Sequence, residues 1–308
     1  MLRKIAKGIL HPARAANRIY GNAYLWNYNY ARLRQPKAKG AVPQHDARVH
    51  TEVVRQLNSE GYDVHDYTLD IDDFRRYLRQ ANYSQFPGYY RGGKNRAVTN
   101  FTEKALEHYL AAKFLGLGPG DVYIDIANDE SPAPKIYHAL YGCKSYRQDL
   151  KFPPGLHGDA IGGSAASMPL PDGYATAMAL HCSFEHFEGD ADTCFIREAN
   201  RVLADGGKLF ILPLYLHTQY SIQTDPAVLP KGGIEFEPEA TLYCARSWGN
   251  RHGRVYSVPQ LTARIRPALG SLDLTVYVVQ NEKAVDPSCY VKFIGVFEKT
   301  QSSRSRMP

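Results

Sequence analysis

No run of about 18 consecutive apolar residues, the length a membrane-crossing helix requires, occurs anywhere in the 308 residues. The opening MLRKIAKGILHPAR also lacks the apolar core of a secretory signal, so neither a spanning nor an exported protein is expected. Cysteine is sparse and unpatterned. Cys143, Cys182, Cys194, Cys244 and Cys289 include no C-x-x-C pair, which argues against a disulfide framework and a zinc knuckle and fits packing roles in a reducing compartment. Acid is nearly missing from the first 50 positions, where Asp46 stands alone against ten Lys and Arg. That segment carries +9 against a total of +6, so the rest of the chain sums to −3.

Apolar material, by contrast, is ample. Hydrophobic residues at 44% and aromatics at 12% supply a core for one large domain or two modest ones and exclude wholesale disorder. Within the basic segment Leu2, Ile5, Ile9 and Leu10 recur at helical spacing, and Tyr20, Tyr24, Trp26, Tyr28 and Tyr30 follow. An apolar face, basic residues and interfacial aromatics together suit an anionic membrane surface, so residues 1–34 are expected to rest on the inner face of a membrane with the rest in the cytoplasm. A helix packed on the domain with a solvated basic face explains the same pattern, and an acid-poor amphipathic start also resembles a transit peptide. The aromatics cluster instead of interleaving with the cations, which argues against a nucleic-acid partner.

Four regions follow from the pattern. Residues 1–50 read as the basic arm, closing in a Pro- and Gly-containing linker at 36–47. Residues 51–100 form a helical lead-in, with helices at 51–57 and 71–78, a loop or short strand between them, and a Gly-Gly loop with three cations at 89–97. From 101 to 299 the order becomes regular. A helix with Thr102 at its N-cap and Leu106, Leu110 and Phe114 on one face closes at Gly116. Strands near 122–127, 145–149, 174–181 and 208–213 alternate with helices at 135–140 and 192–203. A helix capped by Ser257 and two strands, LDLTVYVV and YVKFIGVFEK, complete an α/β sheet with right-handed crossovers. The tail 300–308 is expected to be disordered.

The succession PLPDGYATAMALHCSFEHFEGDADTCFIREANRVLADGGKLFILP, at 169–213, places the turn Pro169 to Gly173 before a strand and Glu185-His186 after it. Arg197-Glu198 and Arg201-Val202-Leu203 on a helix follow, and Gly206-Gly207 enter the next strand. This order resembles the class I S-adenosylmethionine-dependent methyltransferases of the type 11 kind. The resemblance implies a Rossmann-like fold, a mostly parallel seven-stranded sheet flanked by helices, here with an N-terminal helical extension, and S-adenosylmethionine as cofactor. It places the cofactor on the turn after the first strand, at Asp125, Ala127, Asp129 and Ser131, on the acid ending the second strand, Asp149, and near Ser164 and Met168. Asp159 replaces Ser164 if the register shifts, and Thr176 stands where an Asp often opens the fourth strand. All three glycines of the cofactor turn are replaced, by Ala127, Asp129 and Ser131.

Two readings therefore stand. One is an active methyltransferase for a small-molecule, glycan or lipid-linked sugar acceptor, its cofactor held through a changed loop in which Asp129 or Glu130 pairs with the cofactor's amino group. The other is a methyltransferase-like binding or interaction module without a methyl donor; a pocket repurposed for another nucleotide or sugar, touched by Arg147 and Lys151, is a third. Methyl transfer needs in-line positioning, and a base only for a hydroxyl acceptor. His181, Glu185 and His186 follow the fourth strand and are the catalytic candidates, a histidine titrating near neutrality and Glu185 orienting it. His181 and His186 are five apart, not the four of a metal-binding helix pair, and no metal is expected. The insertion 214–256 reads as an acceptor lid, with Tyr215 and Trp248 to stack on a ring and Arg246 and Arg251 to hold an acidic group.

Overall fold

A computed structural model describes residues 37–44, 46–86, 100–225, 228, 234 and 236–300. Along them run strands β1 (Lys37–Lys39), β2 (Asp63–Tyr67), β3 (Val122–Ile126), β4 (Lys144–Asp149), β5 (Gly155–His157), β6 (Ala160–Gly162), β7 (Ala175–His181), β8 (Leu203–Leu212), β9 (Ser221–Thr224), β10 (Thr241–Cys244), β11 (Gly253–Val255), β12 (Leu272–Val279) and β13 (Phe293–Lys299). The helices are α1 (Ala47–Ser59), α2 (Ile71–Ala81), α3 (Phe101–Leu115), α4 (Ala133–Tyr141), α5 (Ala191–Val202), α6 (Val258–Arg264) and α7 (Glu282–Val285). The chain divides into two compact units, one of residues up to 53 with 185–190 and 215–260, the other of 54–184, 191–214 and 261 onward.

The larger unit is built on a nine-stranded sheet in the order β2-β12-β13-β8-β7-β3-β4-β6-β5. The seven strands expected are its middle. The additions lie at the edges: β2, parallel to β12, and β5, antiparallel to β6. β3, β4, β7 and β8 are mutually parallel, whereas β13 runs antiparallel to both β8 and β12. Central strands covered on both faces must be apolar throughout, and Ile124, Ile126, Met178, Ala179, Leu180, Phe210 and Ile211 are all buried. From β3 the chain moves outward to β4 and β6, then returns to β7 on the other side of β3. The strand order thus reverses between β3 and β7, and ligands of open α/β sheets bind at the carboxyl ends of the strands at such a switch.

α3 precedes β3 and is more deeply buried than its one-faced pattern implied, with Glu103, Glu107 and His108 as enclosed as Leu106 and Leu110. It starts one residue before Thr102, which therefore lies inside the helix and not at its cap; Asn100 holds that place without a side-chain bond. Its end falls at Gly116, where φ of 63° lets the N–H reach Ala112 O. In the lead-in, Asp70 caps α2 through the Asp73 N–H at 2.9 Å. Of the two alternatives for the segment between the lead-in helices, loop or short strand, the structure shows the strand: 63–67 is β2 of the large sheet. The Gly-Gly loop at 89–97 lies outside the described residues.

The smaller unit has its own four-stranded sheet, β1-β10-β9-β11, and its own core of Tyr220, Ile222, Phe236, Ala240 and Leu242. Residues 37–39, expected in a linker, are the strand β1 paired with β10. The 1–34 segment lies outside the described residues, as do 301–308, while Thr300 is bonded to Ser271.

Candidate functional site

At the carboxyl end of β3 the backbone turns through Ala127 at φ 52°, Asp129 at φ 39° and Glu130 at φ 71°. Two of the three positions where the resemblance expects glycine thus keep a glycine-like, left-handed backbone while carrying side chains; Ser131 does not. Residues other than glycine enter this region at a cost of about 1–2 kcal/mol each, so the loop is held there by its surroundings. Gln148 supplies much of the hold: its Oε1 accepts Ala127 N–H at 3.1 Å, its backbone carbonyl accepts Asn128 N–H at 2.9 Å, and its Nε2 donates to Gly163 O at 2.6 Å. Asn128 turns inward, its amide donating to Asp125 Oδ2 at 2.6 Å and to Ser131 O at 3.0 Å.

Asp149, at the carboxyl end of β4, faces the same loop. Its Oδ2 accepts Asp129 N–H at 2.9 Å and its Oδ1 accepts Lys151 N–H at 3.0 Å. Lys151 also reaches Asp129 Oδ1 at 2.9 Å, so the bulk and charge at position 129 are drawn to a neighbouring cation. Asp129 therefore has a partner within the chain, and Arg147 is bound in a fork to Asp159 at 2.9 and 2.8 Å. Asp125, Ala127, Asp129, Ser131 and Asp149 are brought together. Ser164 adjoins this group through Gly163 and is exposed, while Met168 is buried and tied by its N–H to Glu198 at 2.6 Å. Thr176 serves the scaffold: its hydroxyl donates to Asp121 at 2.7 Å and accepts Val122 N–H at 3.0 Å.

Below the loop lies a buried polar layer in which Asp125 and His181, both candidates from the sequence, meet Tyr123 and His108, which sequence reasoning missed. Asp125 is 1% exposed and accepts the Tyr123 hydroxyl at 2.9 Å; burial pushes its carboxyl up to about 7. His181 Nε2 lies 3.5 Å from the same carboxylate, and burial, then the Lys104 charge, push the imidazole down to about 3, so it is neutral at physiological pH. His108 packs edge-on against it at 4.9 Å and bridges the Tyr83 hydroxyl at 2.7 Å to Ser131 Oγ at 3.1 Å. No local motif announces these partners, which are drawn from α3, β3 and β7.

Glu185 and His186 belong to the smaller unit. His186 Nδ1 donates to His252 O at 2.5 Å, leaving Nε2 3.6 Å from Glu185 Oε1, and its ring meets Trp248 at 5.6 Å. His252, pushed down to about 3 by burial, donates from Nδ1 to Glu185 O at 3.2 Å. Arg251 does not present an open guanidinium: its Nε and one of its two terminal nitrogens bind Glu188 at 2.5 Å. Fully buried Arg254 holds the Phe187 and Gly189 carbonyls at 2.8 Å and pairs with Glu237. Of the other lid candidates, Arg246 is exposed and Tyr215 half-buried. Among the described residues no three His, Cys, Asp or Glu side chains gather to hold a metal.

The family model described as a methyltransferase domain matches residues 114–211. No curated protein matches the sequence. Similar solved structures include a Burkholderia thailandensis 1,6-didemethyltoxoflavin-N1-methyltransferase with bound S-adenosylhomocysteine, 15% identical, covering 76% of this chain and 92% of that one at a TM-score of 0.42. The PH0226 protein of Pyrococcus horikoshii is 14% identical over 71% and 98%, TM-score 0.42. An S-adenosylmethionine-dependent methyltransferase of Methanosarcina mazei is 12% identical over 60% and 95%, TM-score 0.38. Likeness at these identities and TM-scores carries no argument about activity. The matched residues contain β3, α4, β4, β7, α5 and all of β8 but its last residue, so the methyltransferase-domain match lies on the centre of the large sheet.

Proposed function

We propose that this protein is an S-adenosylmethionine-dependent methyltransferase for a small-molecule acceptor. The observation that carries the reading is the left-handed backbone kept at Ala127 and Asp129 beside the Asp149 carboxylate. Strained backbone persists at functional sites, where the surroundings over-determine it. The residues fit the cofactor. Each Asp149 oxygen accepts one backbone N–H and retains a lone pair for a ribose hydroxyl, and the Asp129 carboxylate is drawn off by Lys151. When bound, S-adenosylmethionine supplies an electrophilic methyl group on a sulfonium.

The chain's own part is positioning and proton removal. His181, kept neutral by burial, is a poor proton acceptor near pH 7 and contributes shape. We assign removal of a hydroxyl proton to His186 Nε2, which lies 3.6 Å from Glu185 Oε1. Arg246 and Trp248, and not Arg251, are assigned to the acceptor, which they suit if it is an acidic or glycan-like ring. The second reading, a module without a methyl donor, is favoured by the replacement of all three glycines of the cofactor turn, by Ala127, Asp129 and Ser131.

Isothermal titration of the whole chain with S-adenosylmethionine, and separately with S-adenosylhomocysteine, decides between them. Micromolar binding that weakens about tenfold or more in Asp149→Ala, the loss of charge-assisted hydrogen bonds, supports the enzyme. Absence of heat and of thermal stabilisation at millimolar ligand overturns it.

A further inference from the structure

Outside the loop just described, four reactive side chains from three segments meet at the carboxyl end of β7. Cys182, the first residue after that strand, has φ of 48° and is pinned by its N–H to Leu212 O at 2.8 Å. Its thiol donates to Glu107 Oε1 at 3.0 Å and lies 3.3 Å from the Tyr290 hydroxyl. Lys104, one turn before Glu107 on α3, binds both Glu107 oxygens, at 3.0 and 3.1 Å, and its ammonium also reaches the thiol. Asn100 donates to Tyr290 OH at 3.0 Å, and the Tyr290 N–H donates to Glu103 Oε2 at 2.9 Å. Glu103 is wholly buried, and its Oε1 has no partner among the described residues.

A nucleophile within hydrogen-bond reach of a base, with that base oriented by a third group, is the general arrangement of an activated side chain. Here the thiol is the nucleophile, Glu107 the base and Lys104 the orienting cation. Thiolates form where a cation is close and the sulfur is partly accessible, and Cys182 is partly exposed while Cys143 and Cys289 are buried. We propose that Cys182 is a nucleophilic thiol that adds covalently to conjugated-carbonyl electrophiles, with Glu107, Lys104 and Tyr290 as its activating groups. In the addition, Glu107 takes the thiol proton and sulfur forms a bond to the β-carbon. The displaced π pair moves toward the carbonyl, and the proton returns from Glu107 to the α-carbon. The ammonium of Lys104 offsets the negative charge while it resides on sulfur. No oxidant or cofactor enters, so the site and the methyl-transfer reading stand or fall separately.

The test uses N-ethylmaleimide, a conjugated carbonyl, on the whole chain near pH 7, with the modified peptides quantified by mass over time. Cys194 and Cys244, with the same partial exposure as Cys182, are the internal standards. The expected result is labelling of Cys182 about tenfold or more faster than either standard, as for a thiol held near its thiolate. Glu107→Gln and Tyr290→Phe are each expected to slow Cys182 while leaving the standards unchanged. Labelling of Cys182 no faster than the standards overturns the proposal, as does fast labelling that neither variant slows. Should Glu107→Gln unfold, seen as accelerated labelling of buried Cys143, the milder Tyr290→Phe decides.

Discussion

At the scale of single residues the donor loop poses the sharpest physical question, since Ala127 and Asp129 adopt backbone that glycine takes without cost. Ala127→Gly is therefore expected to relieve about 1 kcal/mol of strain, offset in part by the greater entropy of glycine in the unfolded chain. Its net effect on denaturant stability should be neutral to stabilising. The same change at buried Ala112 inside α3 should cost about 1 kcal/mol from backbone entropy alone, and equal losses at both positions would contradict the loop's conformation. A second prediction concerns Glu103, whose carboxyl is pushed from 4.5 up to about 8 by burial and then by Glu107. Between those values the unfolded chain has lost its proton while the folded chain keeps it, so this group makes stability fall as pH rises across the window. Denaturation midpoints from pH 5 to 8 should fall more steeply for the native chain than for Glu103→Gln, and parallel curves would refute the assignment. The candidate acids and the altered glycine positions were legible because they sit at fixed distances along one stretch of chain. Cys182 and Glu107 are 75 residues apart, and nothing local in either segment announces the other.

At the scale of elements, legibility followed the strength of the apolar signal. The buried strands β3, β7 and β8 and the helix ending at Gly116 stood out because continuous apolar runs and a glycine stop leave few alternatives. β2 was legible only as a loop or short strand, because DVHDY is polar and mostly exposed, and its pairing partner β12 is more than 200 residues away. Thr102 misled because a capping residue was available one position too late, and the deep burial of α3 places Glu103, Glu107 and His108 on faces that periodicity marks as solvent-facing. The opposite edge gives the element-scale prediction. Gly162 ends β6, pairs with both β4 and β5, and a Cβ built there would lie 1.7 Å from Pro153 O. Backbone cannot yield that distance locally, so Gly162→Ala should cost about 3 kcal/mol or more. Gly158→Ala, in the turn of the same hairpin, has open space around its Cβ and only a φ of 62° to pay for, about 1 kcal/mol. Urea midpoints in which the two variants fall equally would show the edge register to be wrong.

At the scale of the whole molecule the sequence was most informative where one long succession of elements could be matched at once, and least where function depends on segments from different parts of the chain. The smaller unit is such a case, being assembled from residues up to 53, 185–190 and 215–260, so an expected loop insertion turns out to own a sheet and a core. Charge is the other whole-molecule property, and it is segregated. Residues 1–34 hold seven Lys and Arg and no acid, so against a total of +6 the remaining residues sum to −1. No described helix is long and apolar enough to cross a membrane; for residues 1–34 the expectation from the sequence is attachment to an anionic surface. Attraction to an anionic surface is worth about 1 kcal/mol per basic residue close to it, so converting Arg3, Lys4 and Lys7 together to Gln should weaken binding about a hundredfold. The measurement is co-sedimentation of the intact chain with phosphatidylserine-containing vesicles. Binding should fail on pure phosphatidylcholine and should collapse in roughly 1 M salt, where the Debye length shrinks to about 3 Å. Equal binding of the triple variant, or binding that survives the salt, would mean that the basic segment serves the protein itself and not a membrane.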